Sequence, residues 1–588
     1  MTAARRPFWR WLLLVWIAAA IFLIACFRSA IATFRLADPD DVLRLVEVRD
    51  WLGGQGWFDV SQHRMNPPHG LSMHWSRLLD LPIAACLSLA RMVADQRTAE
   101  TLAAVIVPLV TLGLAMALVA ALTRRLTAEG AERGPALLAA AFCTISVAAW
   151  YALRPMRIDH HGWQIVAGLG VAVALTGRPT RRNAAIAGAC AALWAHISLE
   201  ALPFAAAAGA WLGLRAMLGA RDDARRLSAY LAALTVAAAA LTLAIKGPSA
   251  FAGLQCDSLS TVHLAALGGA TLASLAAERA PLRARWIILV AAAGADALFY
   301  RWGAGPCAAG PFGQLGPLGA RLWYRSVNEG QPIWRLSSEL VLLWGLLPIV
   351  GLAGAAIVRR PMAPGPRREA LTTYIVLLLA ATGVGLLVMR ALAFANLLAL
   401  PGAMIALAVI ARTCDRRARA FRILILTGSA ILFSPLGPAL AAALVSSERP
   451  APQPPAPPAP ACGRIDDYAV LNRLPPAIVI APIDAGPALI AATHHRAITG
   501  PYHRDPQALE DLLRFFTAPP AEARTIAAVR HAGLLAFCPG AHDLGVMADS
   551  APTGLAAALR RGAVPPWLTR LDPARTAPLQ VYRIAGPR

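Results

Sequence analysis

Residues Trp11–Phe34 read WLLLVWIAAAIFLIACFRSAIATF, and the acidic tetrapeptide Asp38-Pro39-Asp40-Asp41 follows almost at once. The apolar run exceeds the roughly 20 residues that a bilayer crossing needs. Arg5, Arg6 and Arg10 precede it, so the N-terminus reads as cytoplasmic and the first span as leaving outward. No A-x-A cleavage site follows, and the run is too long for a signal peptide's apolar core, so it reads as a retained anchor. Three carboxylates beside a bilayer must cap a helix, meet water or hold a cation. Asp38 suits an N-cap, Pro39 the first helical position, and Asp40 and Asp41 the positive end of a helix dipole. A metal or catalytic site is the other reading, and the rest of the chain has to decide.

Across 588 residues the chain is 57% hydrophobic, which excludes an ordinary soluble protein of this size. Its formal charge of +22 lies in short Arg clusters between apolar runs, with Lys246 as the one lysine. That is the pattern of cytoplasmic loops, and it argues against nucleic-acid binding. The nine cysteines show no metal-binding spacing. Cys26, Cys86, Cys143 and Cys190 fall in apolar segments, and Cys414 in an inner loop. Cys256, Cys307, Cys462 and Cys538 fall outside, where disulfides form. Cys462–Cys538 is expected within an outer domain and Cys256–Cys307 between two outer loops.

Charge parity fixes the topology. Leu79–Ala94 and Thr101–Leu122 are both apolar, yet only one can cross if the loop Arg124–Arg133 is inside. Leu79–Ala94 is shorter and holds Pro82 and Arg91, so it is predicted to be interfacial or re-entrant. Further spans are then predicted near 135–153, 162–177, 184–199, 201–218, 227–245, 261–277, 286–300, 337–358, 370–388, 391–411 and 421–444. The Arg-rich loops 178–182, 221–226, 279–285, 359–368 and 412–422 all land inside. The expectation is a polytopic α-helical membrane domain of about thirteen transmembrane helices over residues 1–445. Its long outer loops are 35–100 and 301–336, the first carrying interfacial helices. In the helix after Asp38, Val42, Leu45, Val46 and Leu52 share one face, with Arg44, Glu47 and Asp50 elsewhere.

A Pro-rich linker is expected over 446–460, and a small α/β domain outside the membrane over 461–588. In that domain Ala477–Ala481, Leu534–Phe537 and Leu579–Ile584 read as strands. Gln507–Phe516, Ala521–His531 and Thr553–Arg561 read as helices.

Under this topology acidic residues gather at three outer places: the tetrapeptide, Arg157-Ile158-Asp159-His160-His161-Gly162, and Ser326-Val327-Asn328-Glu329-Gly330-Gln331-Pro332. Carboxylates from three loops supply the oxygen ligands that a hard divalent cation needs. Each has a plainer reading: Asp159 as a helix cap beside interfacial histidines, and Glu329 as a solvated loop residue. Arg390 interrupts Leu386–Leu397 at the outer end of a span, where it needs a partner, an anion or a snorkelling path to water.

These residues resemble the catalytic subunit of oligosaccharyltransferases, integral-membrane glycosyltransferases of the GT-C class. Asp38-Pro39 resembles that family's first-loop Asp-Pro, and Asp159-His160-His161 stands where it carries Asp-x-Asp or Asp-Asn-Glu. Ser326-Val327-Asn328-Glu329 is similar to its Ser-Val-Ser-Glu element, and Met389-Arg390-Ala391 to its late-span Arg. The resemblance covers residues 10–445 and describes a divergent bacterial-type member. It implies that Asp38, Asp159, His161 and Glu329 hold one Mg or Mn ion, with His161 replacing an acid. It further implies catalytic roles for Asp38, Asp159 and Glu329, and contact of Arg390 with the donor phosphate. The donor would be a sugar on a polyprenyl phosphate or pyrophosphate in the membrane lipid, used at the outer, periplasmic face of an inner membrane.

The family's Trp-Trp-Asp-Tyr-Gly motif for reading a peptide acceptor is absent, which leaves the acceptor open among protein, glycan and lipid. Asp484, Tyr502, His503 and Arg504, with His494 and His495, form a polar set in the C-terminal domain. They are expected either to contact acceptor or donor, or to be a loop network within that domain. Two other functional readings stand beside the first. One is a transporter or flippase with Glu200 and His196 on an ion path, against which the ionisable residues lie at outer span ends. The other is a metal-independent GT-C transferase in which Asp38 alone acts as base.

Overall fold

The computed structural model describes residues 8–128, 130, 133–219, 221–414, 419–447, 462–571 and 578–585. Arg5 and Arg6, residues 415–418 of one basic loop, and residues 448–460 of the expected linker lie outside the described residues. The chain is a multi-pass helical membrane protein with a small sheet domain at its C-terminal end. Among the described residues seven helices are long and apolar enough to cross a bilayer, or eight if one bent pair counts as a span, fewer than the roughly thirteen expected from sequence.

Helices occupy the predicted span positions, with three departures from continuous crossings. The first helix ends at Cys26, and a separate short turn of helix runs Arg28–Ala32. The third span breaks at Ser146, whose hydroxyl caps the short helix Val147–Ala152. The last is two helices, Arg419–Leu432 and Leu436–Ser447, bent by 80°. Ser434-Pro435 stands at that break, where the proline ring is incompatible with a continuous helix. The segment predicted not to cross is the helix Asp80–Ala90. At 1.5 Å per residue it spans about 16 Å, roughly half the hydrocarbon thickness.

Small residues bring the late helices together. A Cβ on Gly351 would stand 2.5 Å from the carbonyl oxygen of Ala399, so Ser338–Arg359 and Leu392–Thr413 pack backbone to backbone. Tyr374, fully buried, donates its hydroxyl to the Leu398 carbonyl at 2.6 Å and locks a third helix onto this pair.

The outer domain is a five-stranded sheet. A short hairpin in the first outer loop precedes it, β1 (Ser61–Gln62) with β2 (Leu71–Ser72). The sheet comprises β3 (Ile478–Ile480), β4 (Arg496–Ala497), β5 (Leu534–Phe537), β6 (Leu568–Leu571) and β7 (Gln580–Ile584) in the order β4-β3-β5-β7-β6. β3 runs parallel to β4 and β5, and β7 is antiparallel to both its neighbours. The predicted strands and helices are all present. The sequence reading missed β4, β6 and the helices Ala485–Ala492 and His542–Ser550, which are short and lack alternating polarity.

The first outer loop joins this sheet. Met65 bridges Ala497 in parallel register, and the Ala497 N–H donates to the Arg64 carbonyl at 2.9 Å. The helix Pro39–Leu52 is consequently buried on nearly every side, not amphipathic as predicted. Leu43 and Val46 enter a core shared with β3 and the helix Ala485–Ala492. Val42, Leu45 and Val48 enter a second core with Ile83, Leu87 and Ala103 on the membrane side. Leu52, placed on the apolar face from sequence, is exposed, whereas Arg44 and Glu47 are buried. Arg44 compensates by pairing with Asp80 at 2.8 Å and lying 4.4 Å from the ring centre of Trp75.

Candidate active site

A cavity of 490 Å³ lies between the membrane helices and the sheet domain. Asp38, Glu329 and Arg390 line it, with Asp484, Tyr502 and His503 from the sheet domain. Asp159 and His161 stand in the wall behind, each 4% exposed.

The membrane-side wall is built on the start of the helix Pro39–Leu52. Asp38 caps it, accepting the N–H groups of Asp40 at 2.9 Å and Asp41 at 3.2 Å. Asp41 returns the contact, its Oδ2 accepting the Asp38 N–H at 3.1 Å, which completes a reciprocal capping box. Asp41 does more than complement the helix dipole. Its other oxygen accepts the N–H groups of Ile158 at 2.7 Å and Asp159 at 2.9 Å, pinning the Asp159 loop to the helix start.

Arg157 closes this arrangement. Its guanidinium contacts the Asp38 carboxylate, Asp41 Oδ2 at 3.2 Å and Asp159 Oδ2 at 3.3 Å. Asp159 also meets His160 Nδ1, and His161 Nε2 lies 3.1 Å from Asp159 Oδ2. Burial opposes the Asp159 charge, but His160, His161 and Arg157 outweigh it and hold the carboxyl well below its usual range.

Glu329 arrives from the other long outer loop. Tyr151 donates its hydroxyl to Glu329 Oε2 at 2.6 Å, and its ring lies 5.2 Å from that of His161. Arg390 reaches Glu329 Oε1 at 3.4 Å and forms a second ion pair with Glu200. Burial pushes the Glu329 carboxyl up, while His161, Arg390 and the Tyr151 hydrogen bond bring it down to about 2. Glu200, which the alternative transporter reading put on an ion path, is the partner of Arg390, while among the described residues neither ring nitrogen of buried His196 has a hydrogen-bond partner.

Of the four residues expected to hold a divalent cation, Asp159 and His161 stand in a compact group of possible ligands, with His160 in place of Asp38 and Glu329. Asp159, His160 and His161 offer ligand atoms within 4.8 Å of one another. His160 Nδ1 and His161 Nε2 are buried and both face the Asp159 carboxylate, but among the described residues neither makes a well-aligned hydrogen bond. The Asp38 and Asp159 oxygens that would complete the donor set face the cation of Arg157.

The polar set of the sheet domain divides. His495 accepts the Ala477 N–H at its Nδ1 and donates from Nε2 to the Leu471 carbonyl, while His494 meets the Leu474 carbonyl, so both serve the domain's own loops. Arg504 clasps Asp257 with two 2.8 Å hydrogen bonds, and His503 reaches the same carboxylate at 2.8 Å. His74, Asp257 and His503 also cluster within 4.8 Å, but Arg504 already engages both Asp257 oxygens, so the group is an ion-paired clamp. The clamp sits beside the disulfide Cys256–Cys307, and a second disulfide joins Cys462 to Cys538.

Sequence reasoning gave no role to Arg157, Tyr151, Asp257, His74 or Trp75. The available signals were an Arg two residues before Asp159 and an Asp beside a cysteine in an outer loop.

No protein-family model and no curated protein matches the sequence. Solved structures do match. An archaeal oligosaccharyltransferase, AglB from Archaeoglobus fulgidus, in complex with an inhibitory peptide and a dolichol-phosphate superposes with a TM-score of 0.68. Identity is 16%, over 93% of this chain and 72% of that one. The same organism's oligosaccharyltransferase tethered to an acceptor peptide containing the NVT sequon gives 0.67, at 16% identity over 93% and 72% of the chains. Its complex with Zn and sulfate gives 0.60, at 17% identity over 92% and 70%. The likeness takes in the membrane helices and the outer domain together, and the chain has the fold of an oligosaccharyltransferase.

Proposed function

We propose that the chain is a glycosyltransferase that moves a sugar or oligosaccharide from a polyprenyl-phosphate or pyrophosphate carrier to an acceptor at the outer face of the inner membrane. The observation that carries this reading is the convergence of Asp38, Glu329 and Arg390 on one cavity, with Asp159 and His161 directly behind it. The orientation follows from charge parity, with the N-terminus cytoplasmic and the sheet domain periplasmic.

A Mg or Mn ion held by Asp38, Asp159, His161 and Glu329 would neutralise charge that builds on the leaving phosphate oxygens. Arg390 serves the same charge from the cavity side, held in place by Glu200. Asp38 orients the acceptor nucleophile for in-line attack at the anomeric carbon, fixed in that position by its capping hydrogen bonds. No second acid for glycoside hydrolysis is needed, because the leaving group departs as a phosphate. An apolar cavity of 620 Å³ lined by Leu202, Ala206 and Leu267 begins two residues beyond Glu200 and offers room for an isoprenoid chain.

The test uses the purified chain in nanodiscs with lipid-linked saccharides from bacterial membranes. Release of the polyprenyl phosphate or pyrophosphate, dependent on added Mg or Mn, is the expected result. Movement of the intact lipid across the bilayer without release would instead favour a flippase.

A further inference from the structure

Most carboxylates in and behind the cavity have a cationic partner. Glu200 and Glu329 share Arg390, Asp38 and Asp159 share Arg157, and Asp257 takes Arg504. Asp40 and Asp484 also line the cavity, and among the described residues neither side chain has an ion pair or a hydrogen bond. Asp543, next to Asp484, is different: it accepts the N–H groups of Asp484 at 3.0 Å and Leu544 at 2.9 Å, so it holds the loop together.

A third group points the same way. Tyr502 is 2% exposed, lines the cavity, and carries a buried hydroxyl with no hydrogen-bond partner among the described residues. Asp40 and Asp484 line the same cavity, and after burial they add to what disfavours ionisation of this hydroxyl. Burial raises both carboxyls, which would be satisfied, like the Tyr502 hydroxyl, by a hydrogen-bonding cation. The same cavity presents the rings of Phe312, Trp323, Tyr324 and Trp75. Flat aromatic faces beside carboxylates suit a sugar ring that carries a positive charge.

We propose that Asp40, Asp484 and the Tyr502 hydroxyl form the acceptor subsite, and that it recognises a protonated amine on an amino sugar. The inference rests on the glycosyltransferase reading of the cavity and deepens it by naming the acceptor class. Burial and Asp543 push the Asp484 carboxyl up to about 7, in surroundings that also hold His542, Tyr468 and Tyr502. A bound ammonium group would favour its ionised form. The amine is the handle for recognition, distinct from the hydroxyl that receives the new glycosidic bond.

Direct binding to the full chain in detergent tests this without any transfer reaction, so a negative result leaves the transferase reading intact. D-glucosamine, N-acetyl-D-glucosamine and lysine amide are compared by calorimetry or saturation-transfer NMR. Glucosamine is expected to bind at least tenfold more tightly than its acetylated form. Asp484→Asn is expected to weaken glucosamine binding at least tenfold, and Tyr502→Phe several-fold, with unchanged melting and size-exclusion behaviour. Equal binding of the two sugars, or undiminished binding by Asp484→Asn, would overturn the proposal. Lysine amide binding as tightly as glucosamine would overturn the assignment to a sugar ring.

Discussion

Asp41 accepts the backbone N–H of Asp159 at 2.9 Å, although 118 residues separate them in the chain. One carboxylate thereby fixes two of the three acidic loops in register: it caps back onto Asp38 and holds the Ile158-Asp159 peptide. The helix that carries it is clamped between two hydrophobic cores, so packing and the Asp41 hydrogen bonds together hold Asp38 and Asp159 in place.

Asp41→Ala would strand the buried N–H groups of Ile158 and Asp159. A loss of about 3 kcal/mol is expected from their desolvation. Asp41→Asn keeps one acceptor oxygen and should lose about half as much. Thermal melting in detergent measures both, and a neutral Asp41→Ala would remove Asp41 from the framework.

Arg157 is the resident cation among Asp38, Asp41 and Asp159. Arg157→Gln leaves those carboxylates mutually repelling, and breaking a buried pair of this kind costs about 3 kcal/mol. Mn at about 100 times its dissociation constant should return about 2.7 kcal/mol through linkage. The rescue is expected to be larger in the variant than in the parent, because Arg157 no longer competes. Equal shifts in the two melting curves would separate the metal from these carboxylates.

Much of this was legible before the structure. Charge parity placed the three acidic loops on one side, and apolar length located the membrane helices. Arg390 stood out because a charge at a span end demands a partner, whereas Asp38 and Glu329 were picked out by the resemblance of their motifs to the oligosaccharyltransferase catalytic subunit. What the sequence concealed were contacts across long separations. Asp41 looks like an ordinary first-turn acid until Ile158 and Asp159 arrive beside it. Arg44 and Glu47 look solvent-facing because hydrophobic periodicity cannot anticipate a helix covered by two domains at once. Glu200 entered only the alternative transporter reading, because its partner, Arg390, is 190 residues away.

Tyr151 supports Glu329 without lining the cavity. Tyr151→Phe removes one hydrogen bond and keeps the ring against His161. Loss of an outer hydrogen bond of this kind weakens metal binding about 10-fold or more. Titration of Mn, followed by electron paramagnetic resonance, is expected to show that drop with little change in melting temperature.

Asp257 clamps the sheet domain to the membrane domain through Arg504 and His503. Asp257→Asn is expected to cost about 3 kcal/mol, since it leaves a largely buried Arg504 unpaired. Burial opposes the Asp257 charge, but His503 and Arg504 hold the carboxyl well below its ordinary value of 3.8. A carboxyl lowered on folding contributes stability that is full above its unfolded pKa and fades as pH falls toward its folded one. The gap in melting temperature between parent and Asp257→Asn should therefore stay constant from pH 8 to pH 5 and narrow only in stronger acid.

The central claim is that Asp38, Asp159 and Glu329 form a metal-dependent centre for transfer from a lipid-linked sugar. The most direct measurement is in vitro transfer with and without a chelator, comparing the parent with Asp38→Ala, Asp159→Ala and Glu329→Ala. The account predicts that each substitution lowers transfer about 100-fold or more, and that chelation abolishes it until Mg or Mn is restored. Undiminished transfer by all three variants, in the presence of chelator, would contradict it.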